Sequence, residues 1–373
     1  MPRTASPHTA RLINDWMAYD LLLGHGPMSR AELQQRTGLS RATVGDLVDR
    51  MVEAGLISQV GQSQTRRRGP NALLYGVVAD RAHVAGVEVR PDQVIASVND
   101  VTGRQIGAAA LPQDQRVEPD RLVYDAIAAA LADAKVTHLD GVVIGTLGIV
   151  DPVSGDVAFI WALPTWHANL LPGLRDRLGG VPVLVENEVN LVGLAEHRLG
   201  AARGHDTFAL LSLGEGIGVA VILDGRLHRG RSGGAGEIAT APTGLGGGTV
   251  QDLVGGHAVR ELARQHGLPA DDAVSAVRQA TPAFLDALAD RVAIAAMGIC
   301  AVLDPGFVVL AGEIGRAAGA PLAARVEERL QRDTPLPTEV AVGTVEGDPV
   351  VRGAVVIALE RLHRQTFDRE PGS

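Results

Sequence analysis

Cysteine occurs once in the 373 residues, at Cys300, so the chain can close no disulfide on itself and cannot build a zinc site from several thiolates. The surrounding "RVAIAAMGICAVLD" is apolar and helical in pattern, which marks a small buried side chain rather than a reactive thiol. Long apolar runs are missing as well. No stretch reaches the ~18 residues that a membrane helix needs, and the opening "MPRTASPHTARL" lacks the apolar core of a signal peptide. The expected location is the cytoplasm, with no membrane partner. Apolar residues and glycine are plentiful instead: 46% of residues are hydrophobic, 21% are charged, and 45 are glycine. Such a chain is expected to be globular and long enough for two or three cores.

A net charge of −9 argues at first against a nucleic-acid partner, but the charge is unevenly spread. Residues 1–79 carry nine Arg against six Asp or Glu, a net +3, and leave −12 for the remainder. A small basic module on a large acidic one suits a DNA reader attached to a sensor.

Within the basic module, Leu12, Ile13, Trp16, Met17 and Leu21 have helical spacing. "SRAELQQRTGLSRATVGDLVDRMVEAGLI" follows. Ser29 and Glu32 predict a capping box, Gly38 a helix stop, and Ser40 the cap of a further helix. In that helix Val44, Leu47, Val48 and Met51 fall at i, i+3, i+4 and i+7 and share a buried face, leaving Arg41, Thr43, Gly45 and Asp46 on the other. Two short helices joined by a glycine turn form a helix-turn-helix pattern. "LISQVGQSQTRRRGPNALLYGVV" then reads as strand, loop, strand with Arg66, Arg67 and Arg68 at the tip, as in a wing. Ser40, Arg41 and Thr43 are expected in a major groove, and Arg66 to Arg68 on phosphates or in a minor groove. A plain three-helix bundle with a solvated charge run is the alternative.

Beyond residue 80, strand-like segments such as "LDGVVIGTLGIVDP", "VPVLVENEVN" and "FALLSLGEGIGVAVILDG" alternate with helical ones such as "PLAARVEERLQR". That alternation predicts an α/β architecture in two lobes, with ligands at the carboxyl ends of strands. "LSLGEGIGVAVILDG" has the form of a β-hairpin on a glycine-rich turn able to cradle phosphate, yet Glu215 stands between the two closest glycines.

The order and spacing of several segments resemble the ROK family of repressors and sugar kinases, in its regulator form. They are the turn at Val150–Gly155, "LPTW" at Leu163–Trp166, "ENEVN" at Glu186–Asn190, "GEGIG" at Gly214–Gly218, "GGAGEIAT" at Gly233–Thr240 and "LDPGFVVLAG" at Leu303–Gly312. The resemblance implies a winged helix-turn-helix over 1–80 and a two-lobed actin-like (ribonuclease-H-like) domain over 81–373. Lobe one would span about 81–195 plus the C-terminal helix, and lobe two about 196–345. It also implies a repressor that binds a roughly palindromic DNA operator as a homodimer or homotetramer and senses a sugar or sugar derivative held between the lobes.

Against the kinases of that family, the chain departs at its chemical positions. Where they carry Asp-x-Gly-x-Thr to approach a nucleotide, this sequence has Glu88, Val89, Arg90, Pro91 and Asp92. A carboxylate such as that of Glu215, ~4 Å from a triphosphate, would be repelled by a few kcal/mol even at an effective dielectric near 20. The family's Asn-Asp pair, whose Asp is the catalytic base, is matched by Asn187 and Glu188, and its sugar-reading Glu by Glu237. Ala239 and Thr240 replace the Gly-His that follows, the loop beyond has no cysteine, and Gln251 and Ala162 stand where two other polar contacts are usual. The expectation is therefore a non-enzyme without cofactor or zinc, whose effector contacts are Asn187, Glu188 and Glu237. Alternatively, Glu186, Asn187 and Glu237 pair with backbone amides or arginines and hold the lobes together. Two other functions stay open: a ligand-free pseudo-kinase scaffold, and an active sugar kinase, against which Arg90, Pro91 and Glu215 stand.

Overall fold

The computed structural model describes residues 7–62, 72–114, 116–159, 170–244 and 248–368. The basic module begins with helix α1 (Pro7–His25), a short strand β1 (Met28–Ser29), α2 (Arg30–Thr37) and α3 (Arg41–Glu53), followed by β2 (Ile57–Gln62) and β3 (Leu73–Val77). Local chemistry sets the helix ends. Ser29 N donates to the Glu32 carboxylate at 2.8 Å while Glu32 N donates to Ser29 Oγ at 3.3 Å, and Gly38 closes α2 in the left-handed region at φ 70°. Val44, Leu47, Val48 and Met51 of α3 are buried with Leu33 of α2 and Tyr19 and Leu22 of α1. β3 pairs with both β1 and β2, making a three-stranded sheet. Arg66, Arg67 and Arg68 lie outside the described residues.

The first lobe runs β4 (His83–Val89), β5 (Gln93–Asp100), β6 (Gln105–Pro112), α4 (Pro119–Ala134), β7 (Gly141–Thr146), β8 (Ile149–Val150), β9 (Val157–Phe159), α5 (Leu170–Arg177), β10 (Val183–Asn187) and α6 (Glu188–Leu199). Its sheet has the order β10-β7-β4-β5-β6, with β4, β7 and β10 parallel. The second lobe runs β11 (Phe208–Leu213), β12 (Ile217–Leu223), β13 (Arg226–Leu227), α7 (Val250–Val254), α8 (Gly256–Gln265), α9 (Ala273–Arg278), α10 (Pro282–Leu303), β14 (Phe307–Ala311), α11 (Gly312–Asp333) and β15 (Glu339–Val342). Its order is β13-β12-β11-β14-β15. The last helix, α12 (Pro349–Asp368), returns to the first lobe.

Alternation along the strands explains why both sheets are covered on both faces. On β11, Ala209, Leu211 and Leu213 pack under the helices of the second lobe, including α10 with the buried Cys300, whereas Phe208 and Leu210 face the other way. There they meet Leu191 and Leu194 of α6 and Val350 and Ala354 of α12, which also pack on Val84 and Val143 of the first sheet. Helices α6 and α12 are thus enclosed between two sheets. Gly86 on β4 allows the close approach, since a Cβ there would run into the backbone and side chains of α12 at Val351 and Val355. No helix of the described residues is long and apolar enough to cross a membrane.

The basic module docks on the far end of α12. Trp16 and Tyr19 of α1 pack on His363, with ring centroids 5.3 and 5.6 Å apart, and Phe367 is buried in the core of the basic module. His363 Nε2 is buried without a hydrogen-bond partner among the described residues, and burial holds the ring pKa down to about 4.

Candidate nucleic-acid interface and ligand cleft

Helix α3 turns its polar face outward. Ser40 is its N-cap: Ser40 Oγ accepts from Thr43 N at 3.2 Å and lies 2.9 Å from Thr43 Oγ1, so both hydroxyls help start the helix. Arg41 and Ala42 are exposed in the first turn, where a groove-bound helix contacts base edges, and Arg41 has no ion pair among the described residues. Asp46 and Asp49 follow on the exposed surface. Arg50 ties α3 to α1 through Asp15, Nη2 to Oδ1 at 2.6 Å.

In the second domain, two of the expected effector residues, Asn187 and Glu188, stand where β10 passes into α6. Glu186, 3% exposed, accepts from Asn187 N at 2.8 Å and Asn190 Nδ2 at 2.9 Å through one oxygen. Its other oxygen accepts from Arg229 Nε at 2.7 Å. Because Arg229 follows β13, this pair joins the two lobes. Asn187 caps α6: Oδ1 accepts from the amides of Val189 and Asn190 at 2.9 and 3.2 Å, and Nδ2 donates to the Gly148 carbonyl at 3.0 Å. Those bonds match the inward-pairing alternative for Glu186 and Asn187. Glu188 differs, because its carboxylate has no hydrogen-bond partner among the described residues. Burial pushes its pKa up to about 7, with Arg90 pulling it down and Asp348 adding to the rise. Glu237 stands on the loop that follows Arg229, exposed and likewise unpartnered among the described residues, and desolvation raises its pKa. That loop reaches the first lobe at Gly233, where a Cβ would collide with the Val150 carbonyl. Ala162 and the "LPTW" segment lie outside the described residues.

At the two positions that resemble the family's phosphate loops, Arg90 and Glu215 make ion pairs within the chain. Arg90 Nη2 lies 2.7 Å from Glu88 Oε2 and 2.6 Å from Asp348 Oδ2, at the end of β4. Asp348 also caps α12, its Oδ1 accepting from Val350 and Val351 at 3.1 Å each. Glu88 is 4% exposed, and burial pushes its pKa up to about 8 despite the neighbouring guanidinium. At the second position, Glu215 pairs with Arg260 of α8 and leans on Gly256, where a Cβ would meet its carboxylate. A carboxylate therefore sits at the start of α8, the place a helix dipole and its free amides offer an anion. Gln251 brackets the same turn, accepting from Ile217 N at 3.1 Å and donating to the Glu215 carbonyl at 2.6 Å, so its amide serves the loop.

Sequence reasoning missed Arg229, Arg260 and Asp348. Asp348 had a signal, since Asp followed by Pro349 and an apolar run marks a helix start. Arg229 and Arg260 had none, because nothing local names a partner that arrives from another element.

The architecture is a helix-turn-helix module with a small sheet, joined to a two-lobed, actin-like domain of paired sheets with two helices between them. The ROK family model matches residues 84–361, and a MarR family model matches residues 15–69. The chain belongs to the ROK family. It is 26% identical over 230 residues to the DNA-binding transcriptional dual regulator NagC of Escherichia coli K12, covering 61% of this chain and 56% of that protein. It is 28% identical over 234 residues to the xylose repressor of Bacillus subtilis 168, covering 61% and 59%. The match thus spans less than two thirds of either relative. A solved ROK family transcriptional regulator, described as a homolog of the E. coli MLC protein, shares the fold with a TM-score of 0.76 at 20% identity, over 96% of this chain and 98% of that one.

Proposed function

We propose that this chain is a sequence-specific transcriptional repressor that binds DNA through its winged helix and senses a sugar or sugar derivative in the cleft between its lobes. The carrying observation is the pairing of an outward-facing helix α3 with a sugar-kinase-like cleft whose charged positions are occupied by Arg90 and Glu215 of the chain itself. Arg90 takes the place a nucleotide phosphate would need, and Glu215 repels one, so the domain binds without catalysing and takes no cofactor. Ser40, Arg41 and Thr43 enter the major groove, and Arg66, Arg67 and Arg68 follow the backbone or minor groove. Glu188 and Glu237, both unpartnered among the described residues, face the effector; Asn187 contributes by fixing the start of α6. Arg90 and Arg229 are both consumed by carboxylates, which favours an uncharged polyol over an anionic one. The protein acts in the cytoplasm at the nucleoid as a homodimer or homotetramer, whose two-fold axis calls for a roughly palindromic operator with half-sites spaced by whole helical turns.

The inward bonds of Glu186, Asn187 and Gln251 favour a second reading, a pseudo-kinase scaffold without a ligand. A thermal-shift screen of the full chain against neutral sugars, amino sugars and sugar phosphates, with and without Mg-ATP, separates the readings. A ligand at a hundred times its dissociation constant adds about 2.7 kcal/mol to folding stability. A shift with sugar alone supports the sensor, no shift with any sugar supports the scaffold, and an ATP-dependent shift would restore the kinase.

A further inference from the structure

Arg30 opens α2, but its guanidinium lies on α3. Nη2 is 2.5 Å from Asp49 Oδ1, Cζ sits 5.4 Å from the centre of the Tyr75 ring on β3, and Nη1 is the one atom that a Cβ on Gly45 would meet, at 3.7 Å. Gly45 and Asp49 follow Arg41 at i+4 and i+8, so the three mark one stripe of α3. Glycine inside a helix is disfavoured against alanine, and here an alanine methyl would find only ordinary contact distance, so nothing among the described residues demands the glycine. Asp49, 69% exposed, is also out of place on a surface meant for phosphates unless it serves another group. Both oddities resolve if the stripe is a seat for Arg30.

We propose that Arg30 is a base-reading residue, a guanidinium held over Gly45 and aimed by Asp49 and Tyr75 so that it contacts the edge of a guanine beside the bases met by Arg41. A guanidinium held by Asp49 and Tyr75 has given up part of its rotamer freedom before binding, which suits the bidentate contact of Arg with guanine O6 and N7. A phosphate contact needs no such aim. Gly45 keeps the stripe low enough for the base edge to reach the guanidinium, and Asp49 acts as a positioning residue through Arg30.

Because this inference rests on the DNA-binding function proposed above, its test begins by selecting sites from a random-sequence duplex pool with the full-length protein. Failure of the unmodified protein to enrich any site would sink DNA reading itself. Given an enriched site, Arg30→Ala and Asp49→Ala are expected to lose the same G·C preference in each half-site, with the other positions retained. Affinity for the selected site should fall about tenfold, the loss of one bidentate base contact. The sign for Asp49→Ala is decisive. Removing a carboxylate from a DNA-facing surface should tighten binding on charge alone, so a positioning role requires weaker binding to the selected site together with unchanged or tighter binding to random duplex. Gly45→Ala should raise the thermal midpoint while weakening the selected site. Unaltered selected motifs, an equal loss on all DNA, or tightening on both DNAs by Asp49→Ala would overturn the proposal.

Discussion

Glu88 carries a proton at a pH where most carboxylates have lost theirs, since burial lifts its pKa from 4.5 to about 8, and Glu188 follows at about 7. Between pH 5 and 8 the folded chain therefore binds more protons at these groups than the unfolded chain does. Stability from this source falls as pH rises through that window and levels off above it. With Gln at position 88 the group no longer titrates. Urea unfolding from pH 5 to 9 should show Glu88→Gln with a flatter profile than the parent, the gap widening on the alkaline side to at most a few kcal/mol. Parallel profiles would mean that Arg90 keeps Glu88 ionised. None of this was readable from the sequence, where Glu88 was only a substitution for an aspartate. Its burial depends on α12, whose cap Asp348 lies 258 positions from Arg90.

At the level of elements, what could be read in advance had a local cause. The capping box at Ser29 and Glu32, the stop at Gly38 and the cap at Ser40 each involve residues within four positions, and the structure has all of them. The hairpin around Glu215 was likewise written in its own residues, and β11 and β12 pair as an antiparallel hairpin. The unreadable parts are the ion pairs between elements: Glu186 with Arg229, 43 positions apart, and Glu215 with Arg260, 45 apart. The same limit blurred Asn187, whose position suited a ligand contact or a cap equally well. The two roles separate by mutation. Asn187→Ala removes two amide acceptances at the start of α6 and should destabilise the fold by about 1–2 kcal/mol. Glu188→Gln, next along the chain, breaks no hydrogen bond among the described residues and should leave stability at pH 7 unchanged or higher. Denaturant titration of both variants checks this; an unchanged midpoint for Asn187→Ala would return that side chain to the effector.

At the scale of the whole molecule, α12 touches both the ion pairs at Arg90 and the helix-turn-helix module among the described residues. Its first turn is held by Asp348, which also grips Arg90, and its last turns place His363 and Phe367 against Trp16 and Tyr19. Twenty residues make a rod about 30 Å long. Packing on two sheets leaves such a rod little room to bend, so a shift at Asp348 must move its far end as a unit. The contact there is apolar: His363 stays neutral because burial holds its pKa near 4, and the aromatic rings pack at 5.3 to 5.6 Å. An apolar joint transmits displacement rather than charge. If lobe closure reaches DNA by this route, loosening Arg90 should alter affinity for a selected operator, and the effect should vanish once the joint is cut. Allosteric couplings usually amount to 1–3 kcal/mol, so Arg90→Gln is expected to change operator affinity about fivefold or more in the parent. In a Trp16→Ala background the same substitution should change it less than about twofold, a non-additivity that a double-mutant cycle measures directly. Equal effects in both backgrounds would show that α12 is a strut and that the lobes reach the winged helix by another path.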